Sequence, residues 1–226
     1  MTGVQTCALP IFTIGSTRTT TLQNGTLDLN GKTYTANTVT VANGTKNITF
    51  NGGTLDVTGS GASAFAVTAV TGFTTTAGTG TGTIKMSSAS AKTFDGGNTG
   101  GLTFNCTIDQ GGAGALTWQG ANTYNNITAS YTATGACTIS FKSNETHTFN
   151  NWNASGTVGK LLTITASGGA PVTFSKSSGT VNADYLSLSK TTATGGATWY
   201  AGANSTDGGS NTGWIFSAAP TASANF

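Results

Sequence analysis

Charge is the scarcest commodity in this chain. Only 7% of its 226 residues are Asp, Glu, Lys or Arg, where about a quarter is usual for a globular domain. The nine basic residues stand singly and the net charge is +2, so the clustered basic stripe of a nucleic-acid binder is missing. No apolar run reaches the ~20 residues of a membrane-spanning helix, and no window holds a helical period. There is one histidine, His147, and there are three cysteines. Ser-His-Asp chemistry would need that histidine, yet no nucleophile elbow accompanies any serine. Low charge with 33 glycines could signify disorder. Disorder also demands low hydrophobicity, whereas 36% of the chain is apolar and dispersed in short alternating runs.

Those runs are rich in Thr, Val, Ile and Phe, the residues that suit a pleated strand. Leu27 and Leu29 flank Asp28, Val39 and Val41 flank Thr40, Ile48 and Phe50 flank Thr49, and Leu55 and Val57 flank Asp56. Each pair puts two apolar side chains on one face and a polar one on the other. Asn24-Gly25, Asn30-Gly31, Asn43-Gly44 and Asn51-Gly52 mark tight turns between them. Because Asn-Gly is also a strong hairpin signal, an antiparallel meander competes over this section. Gly59 to Gly82 is the least patterned stretch. Leu102, Phe104, Cys106 and Ile108 give the longest clean alternation.

A fixed step decides between these readings. Thr123-Tyr124, Thr148-Phe149, Thr173-Phe174 and Thr198-Trp199 follow one another at 25 residues; Ile127 and Trp152, and Ile139 and Ile164, repeat the step. Upstream, Ile84 and Met86 recur 22 residues on as Cys106 and Ile108, and Leu116 and Trp118 recur 21 on as Cys137 and Ile139. Such periods signify a repeat architecture whose units bury their apolar sides against one another. A meander gives no reason for like to align with like at long range; a stack of coils does. The expected fold is all-β, a right-handed parallel β-helix (β-solenoid) with coils of about 21–25 residues, the hand following the general preference for right-handed crossovers. Tyr124, Phe149, Phe174 and Trp199 would form an inward stack with Thr beside them pointing out.

The solenoid is expected over residues 12–216, most regular over 121–200. Bulky Trp199, Tyr200, Trp214 and Phe216 suggest a C-terminal cap at 199–216, followed by a flexible tail at 217–226. Residues 1–11, MTGVQTCALPI, are unlike the rest and resemble the conceptual translation of a sequencing-library adapter. They are expected to be non-native, with the true N-terminus and any export signal lost.

Two stretches, SSASAKTFDGG (Ser87–Gly97) and ATGGATWYAGANSTDGGSNTGWIF (Ala193–Phe216), resemble a family of Gly/Thr/Asn-rich β-solenoid repeat proteins of bacteriophage virions and bacterial surfaces. The resemblance implies an extracellular or virion structural role and transfers no catalytic residue.

Many parallel β-helices cleave polysaccharides, which requires clustered carboxylates. The seven acids here do not recur at a coil period, and Asp95 and Asp207 precede Gly-Gly, where Asp serves the turn. His147 shares a 25-residue column with Val172 and Ala197, which points to a partly buried column member. Cys106 and Cys137 lie on apolar strand faces as core thiols, pairing only if their coils adjoin; two cysteines do not make a zinc site. Asn-x-Ser/Thr triplets such as Asn105-Cys106-Thr107 are expected by chance in so Asn/Thr-rich a chain. The expectation is therefore a non-enzyme with no cofactor and no metal. It is a tail-fibre-like or surface module whose partners are other virion or surface subunits or surface glycans, not nucleic acid or a membrane interior. Homo-oligomerisation stays open. The alternative is a carbohydrate- or receptor-binding adhesin module using the aromatics Tyr131, Tyr200 and Trp214. A polysaccharide lyase or hydrolase is the weaker third reading.

Overall fold

The computed structural model describes residues 17–97 and 100–221. The adapter-like segment, the position 25 residues before Tyr124 (Thr99) and the last five residues of the expected tail lie outside the described residues. Within them are 23 strands and one 3₁₀ turn, Ser130–Ala133. Every pairing between strands is parallel, which removes the meander; the one antiparallel contact among the described residues is an isolated bridge, Thr157 to Lys160.

The strands stack as coils. A nine-stranded face runs from Thr19–Leu22 to Thr206–Asp207, and an eight-stranded face from Thr33–Ala36 to Thr191–Gly195. Two short three-stranded faces complete the coils at the ends: Gly25–Asp28, Lys46–Thr49 and Phe73–Thr76 near the start, and Thr180–Asn182, Thr198–Tyr200 and Trp214–Ile215 near the finish. In the middle, strands such as Thr103–Gln110 are long enough to serve two sides, with a register shift between Phe104 and Thr107 marking the bend. The weakly patterned stretch is incorporated, since Gly61–Val67 and Gly82–Met86 pair on both sides and Phe73–Thr76 pairs with Lys46–Thr49 of the preceding coil.

The core is one continuous column of apolar side chains from Leu29 to Ala201. All four ladder aromatics are buried, at 0%, 1%, 0% and 2% exposure for Tyr124, Phe149, Phe174 and Trp199. Their register is less uniform than the 25-residue step. Tyr124 does align with Phe149, Ile127 with Trp152, and Ile139 with Ile164. Phe174, however, aligns with His147, not Phe149, and Trp199 belongs to a different face, between Val181 and Trp214. The cause is a corner. Phe141 and Ala166 are partners, as are Thr146 and Thr173. Six residues therefore turn the second corner where four turn the first. Two extra residues slide the following strand by one full pleat repeat, which leaves every side chain on its original face.

The same two-residue slip corrects the upstream repeats. Ile84 aligns with Ile108 rather than Cys106, and Trp118 with Phe141 rather than Ile139. Coil steps on the nine-stranded face are likewise wider in range than 21–25. They run from 19 (Thr19 to Thr38) to 31 (Gly61 to Lys92). That face holds a second aromatic ladder, Phe65–Phe94–Trp118–Phe141, with successive ring centroids 4.9, 5.3 and 5.2 Å apart. Its uneven spacing hid it from a search for one period.

Candidate functional site

The seven acids are engaged by their own chain. Asp95 Oδ1 accepts the Gly97 N–H at 2.8 Å and Asp207 Oδ1 the Gly209 N–H at 2.9 Å, as their Gly-Gly neighbours predict. Asp28 Oδ1 accepts from Asn30 and Asn51. Asp56 accepts the Ser87 hydroxyl. Asp184 accepts backbone N–H groups of Tyr185 and Asn204 and the Asn204 amide. Burial would raise its carboxyl, but these donors hold it below its ordinary value. One expectation fails here: Asp56 and Asp109 do share an outward column, two coils apart, with Lys85 between them. Their 53-residue separation is the sum of two unequal coils, so no single period shows it.

Glu145 sits at a corner beside the only histidine. Its Oε1 lies 3.1 Å from Lys142 Nζ, and its Oε2 accepts the Gly120 N–H at 2.8 Å. His147 Nε2 is 3.4 Å from Oε2, outside hydrogen-bond geometry, and the ring is fully buried. It stacks near Tyr124 and meets Phe141 and Trp118 edge-on. Burial lowers the imidazole pKa against the opposing pull of Glu145. For Glu145, burial pushes upward, but His147, Lys142 and the Gly120 N–H together bring it below its usual value. Enclosed this way, the histidine is a column member, although in register with Phe174 instead of Val172.

Cys106 and Cys137 are free, buried and on different faces, partnered by Gly82 and Leu162 respectively. Burial raises both thiols, Cys137 to about 11 and Cys106 further. Lys92, 2% exposed, occupies an inward position level with Leu116. Its ammonium donates to the carbonyls of Ser88 and Gly114, and burial pulls it down to about 8. Among the described residues no three His, Cys, Asp or Glu side chains gather as a metal set.

The aromatics proposed for ligand stacking do not form one platform. Tyr131 lies in the 3₁₀ turn, half-buried and packed on the core. Tyr200 and Trp214 are on paired strands but in adjacent register positions. Trp214 aligns with buried Trp199, while Tyr200 aligns with exposed Ile215, so the two point to opposite sides. Trp214 also packs on Trp152 and Trp199, with centroids 5.8 and 5.1 Å away, and its indole N–H is buried. These contacts close the end of the core.

What the structure does assemble is a groove of about 660 Å³, lined mainly by hydroxyl-bearing residues, on the outside of the eight-stranded face. Thr83 and Thr107 form one column of its floor and Asp109 and Thr128 the next. Ser130, at the start of the 3₁₀ turn, and Asn153, after Thr146–Trp152, stand at its side. Asp109 fixes this corner: Oδ1 accepts the Thr128 hydroxyl and Ser130 N–H, both at 2.8 Å, and Oδ2 accepts the Ser130 hydroxyl at 2.5 Å. Sequence reading missed it because its residues come from four coils, and each looks like an ordinary outward Thr, Ser or Asn. No protein-family model matches the chain, and no curated protein or solved structure is significantly similar to it.

Proposed function

We propose that this chain is a non-enzymatic structural module of a phage virion or a bacterial surface protein, a section of shaft built from stacked coils. The observation that carries the reading is the single apolar core running from end to end of the stack. Such a core makes each coil the template for the next and gives a rigid rod at about 4.8 Å per coil. Two further features support it. The carboxylates accept hydrogen bonds from turns and neighbouring coils, which is the work of a scaffold. The outward positions are Thr, Ser and Asn columns, such as Thr138–Thr163–Ser187, which keep a shaft wettable at low charge. Immunogold labelling of virions and cell envelopes from a producing culture tests the proposal. Label on particles or surfaces is expected. Label confined to the soluble cytosol would overturn it.

A further inference from the structure

The groove beside Asp109 has a chemistry of its own. Apart from Asp109, its lining is hydroxyl, amide and small side chains: no Lys or Arg lines it, and no large apolar group. The one charged side chain of the lining is a carboxylate, which disfavours phosphate, sulfate and uronate groups; Lys85, its register partner one coil earlier, stands beside the groove and does not line it. The apolar surface the groove exposes comes from Thr methyls and Ala129, too small and scattered to enclose a lipid tail, and one acid does not hold a metal. The groove suits a ligand that offers many neutral hydroxyls.

Its shape narrows this further. The floor crosses three successive strands, Gly82–Met86, Thr103–Gln110 and Thr123–Thr128, and the lining continues into a fourth coil at Asn153 and Ser155, or about 14 Å along the axis at ~4.8 Å per step. That length suits a linear chain laid parallel to the shaft. The polar groups are also held in place. Thr83, Thr107 and Thr128 sit on paired strands, and Asp109, 5% exposed, is oriented by three hydrogen bonds. A carboxylate offers about four acceptor sites, so one on Oδ2 is left for a ligand hydroxyl. Groups already fixed lose little entropy on binding.

We propose that this groove binds a linear, uncharged oligosaccharide along the solenoid axis, with Asp109, Thr107 and Asn153 as its hydrogen-bonding contacts. Recognition then lies on the side of the shaft and not on the terminal aromatics. It rests on the groove alone and does not depend on the shaft reading. With no aromatic platform, binding relies on hydrogen bonds and is of millimolar strength.

The test is an amide-shift NMR titration of the full chain with cello-, malto-, manno- and chito-oligosaccharides of four to six units. At least one series is expected to give saturable shifts at Thr83, Thr107, Thr128 and Asn153. Asn153→Ala, an exposed change that leaves the strands intact, should weaken that binding about fivefold, the equivalent of one hydrogen bond. Tyr200→Ala should leave it unchanged. No saturable shift from any series at 20-fold the usual ~1 mM scale of such weak binding would overturn the proposal. So would shifts centred on Tyr200 and Trp214, or a preference for oligo-uronides.

Discussion

Phe94 shows how single residues hold this fold. Its ring meets Phe65, Phe104, Trp118 and Tyr124, at centroid distances from 4.9 to 6.1 Å, so it ties three coils and two faces together. Truncation would leave a cavity that rigid neighbouring strands cannot fill. Phe94→Ala is expected to cost about 3–5 kcal/mol in urea denaturation. His147 makes a different contribution. Its folded pKa is below the unfolded value of about 6.5, so the native state binds the proton less readily than the unfolded chain. Stability is therefore fully present above that value and falls as pH drops toward the folded pKa. Glu145 faces the ring and holds Lys142 on its other oxygen, and its carboxyl is lowered further into the acidic carboxylate range. Between pH 7.5 and 5.5 the urea midpoint of the natural chain should fall, and that of His147→Phe should stay level.

At the scale of elements, corners and close approaches decide what each strand tolerates. Gly82 begins the strand that lies beneath Cys106, and a methyl group there would overlap the Phe50 side chain. Phe50 is itself fully buried and has no space to move into. Gly82→Ala should lower stability by about 1–3 kcal/mol, as overpacking does. Gly169, in the longer corner, has open space where a side chain would go, and its φ is not in the left-handed region. Gly169→Ala should be neutral or slightly stabilising. Paired thermal melts compare the two, and an equal loss at both would contradict the overlap at Gly82.

Across the whole molecule, the vulnerable places are the ends. Trp199 and Trp214 cover Trp152, and Trp214 lies against Phe174. Ending the chain at Ala197 would expose those rings together with the edge of the last coil, a surface prone to pairing with another chain. Light scattering should find the shortened protein self-associated. A monodisperse monomer would show that the last strands are not needed to close the core.

Much of this architecture is legible in the chain because a strand has a period of two. The alternation around Leu55, Ile84, Ile108 and Ile127 states which side chains turn inward, and it holds whatever the coil length. Like residues recurring at long range then require stacked coils. Register is another matter, since a slip of two residues keeps every face and costs the pattern nothing. Phe174 could lie beside Phe149 or His147, and only the packing of a six-residue corner selects His147. The groove at Asp109 belongs to this second class. It joins residues from coils of unequal length, whose neighbourhood is set by how each corner packs. From its alternation and repeats, the sequence determined an all-β stacked-coil fold and its buried face. Tertiary structure alone decided which coil positions became neighbours, because corner lengths are free to vary where pleat periodicity is not.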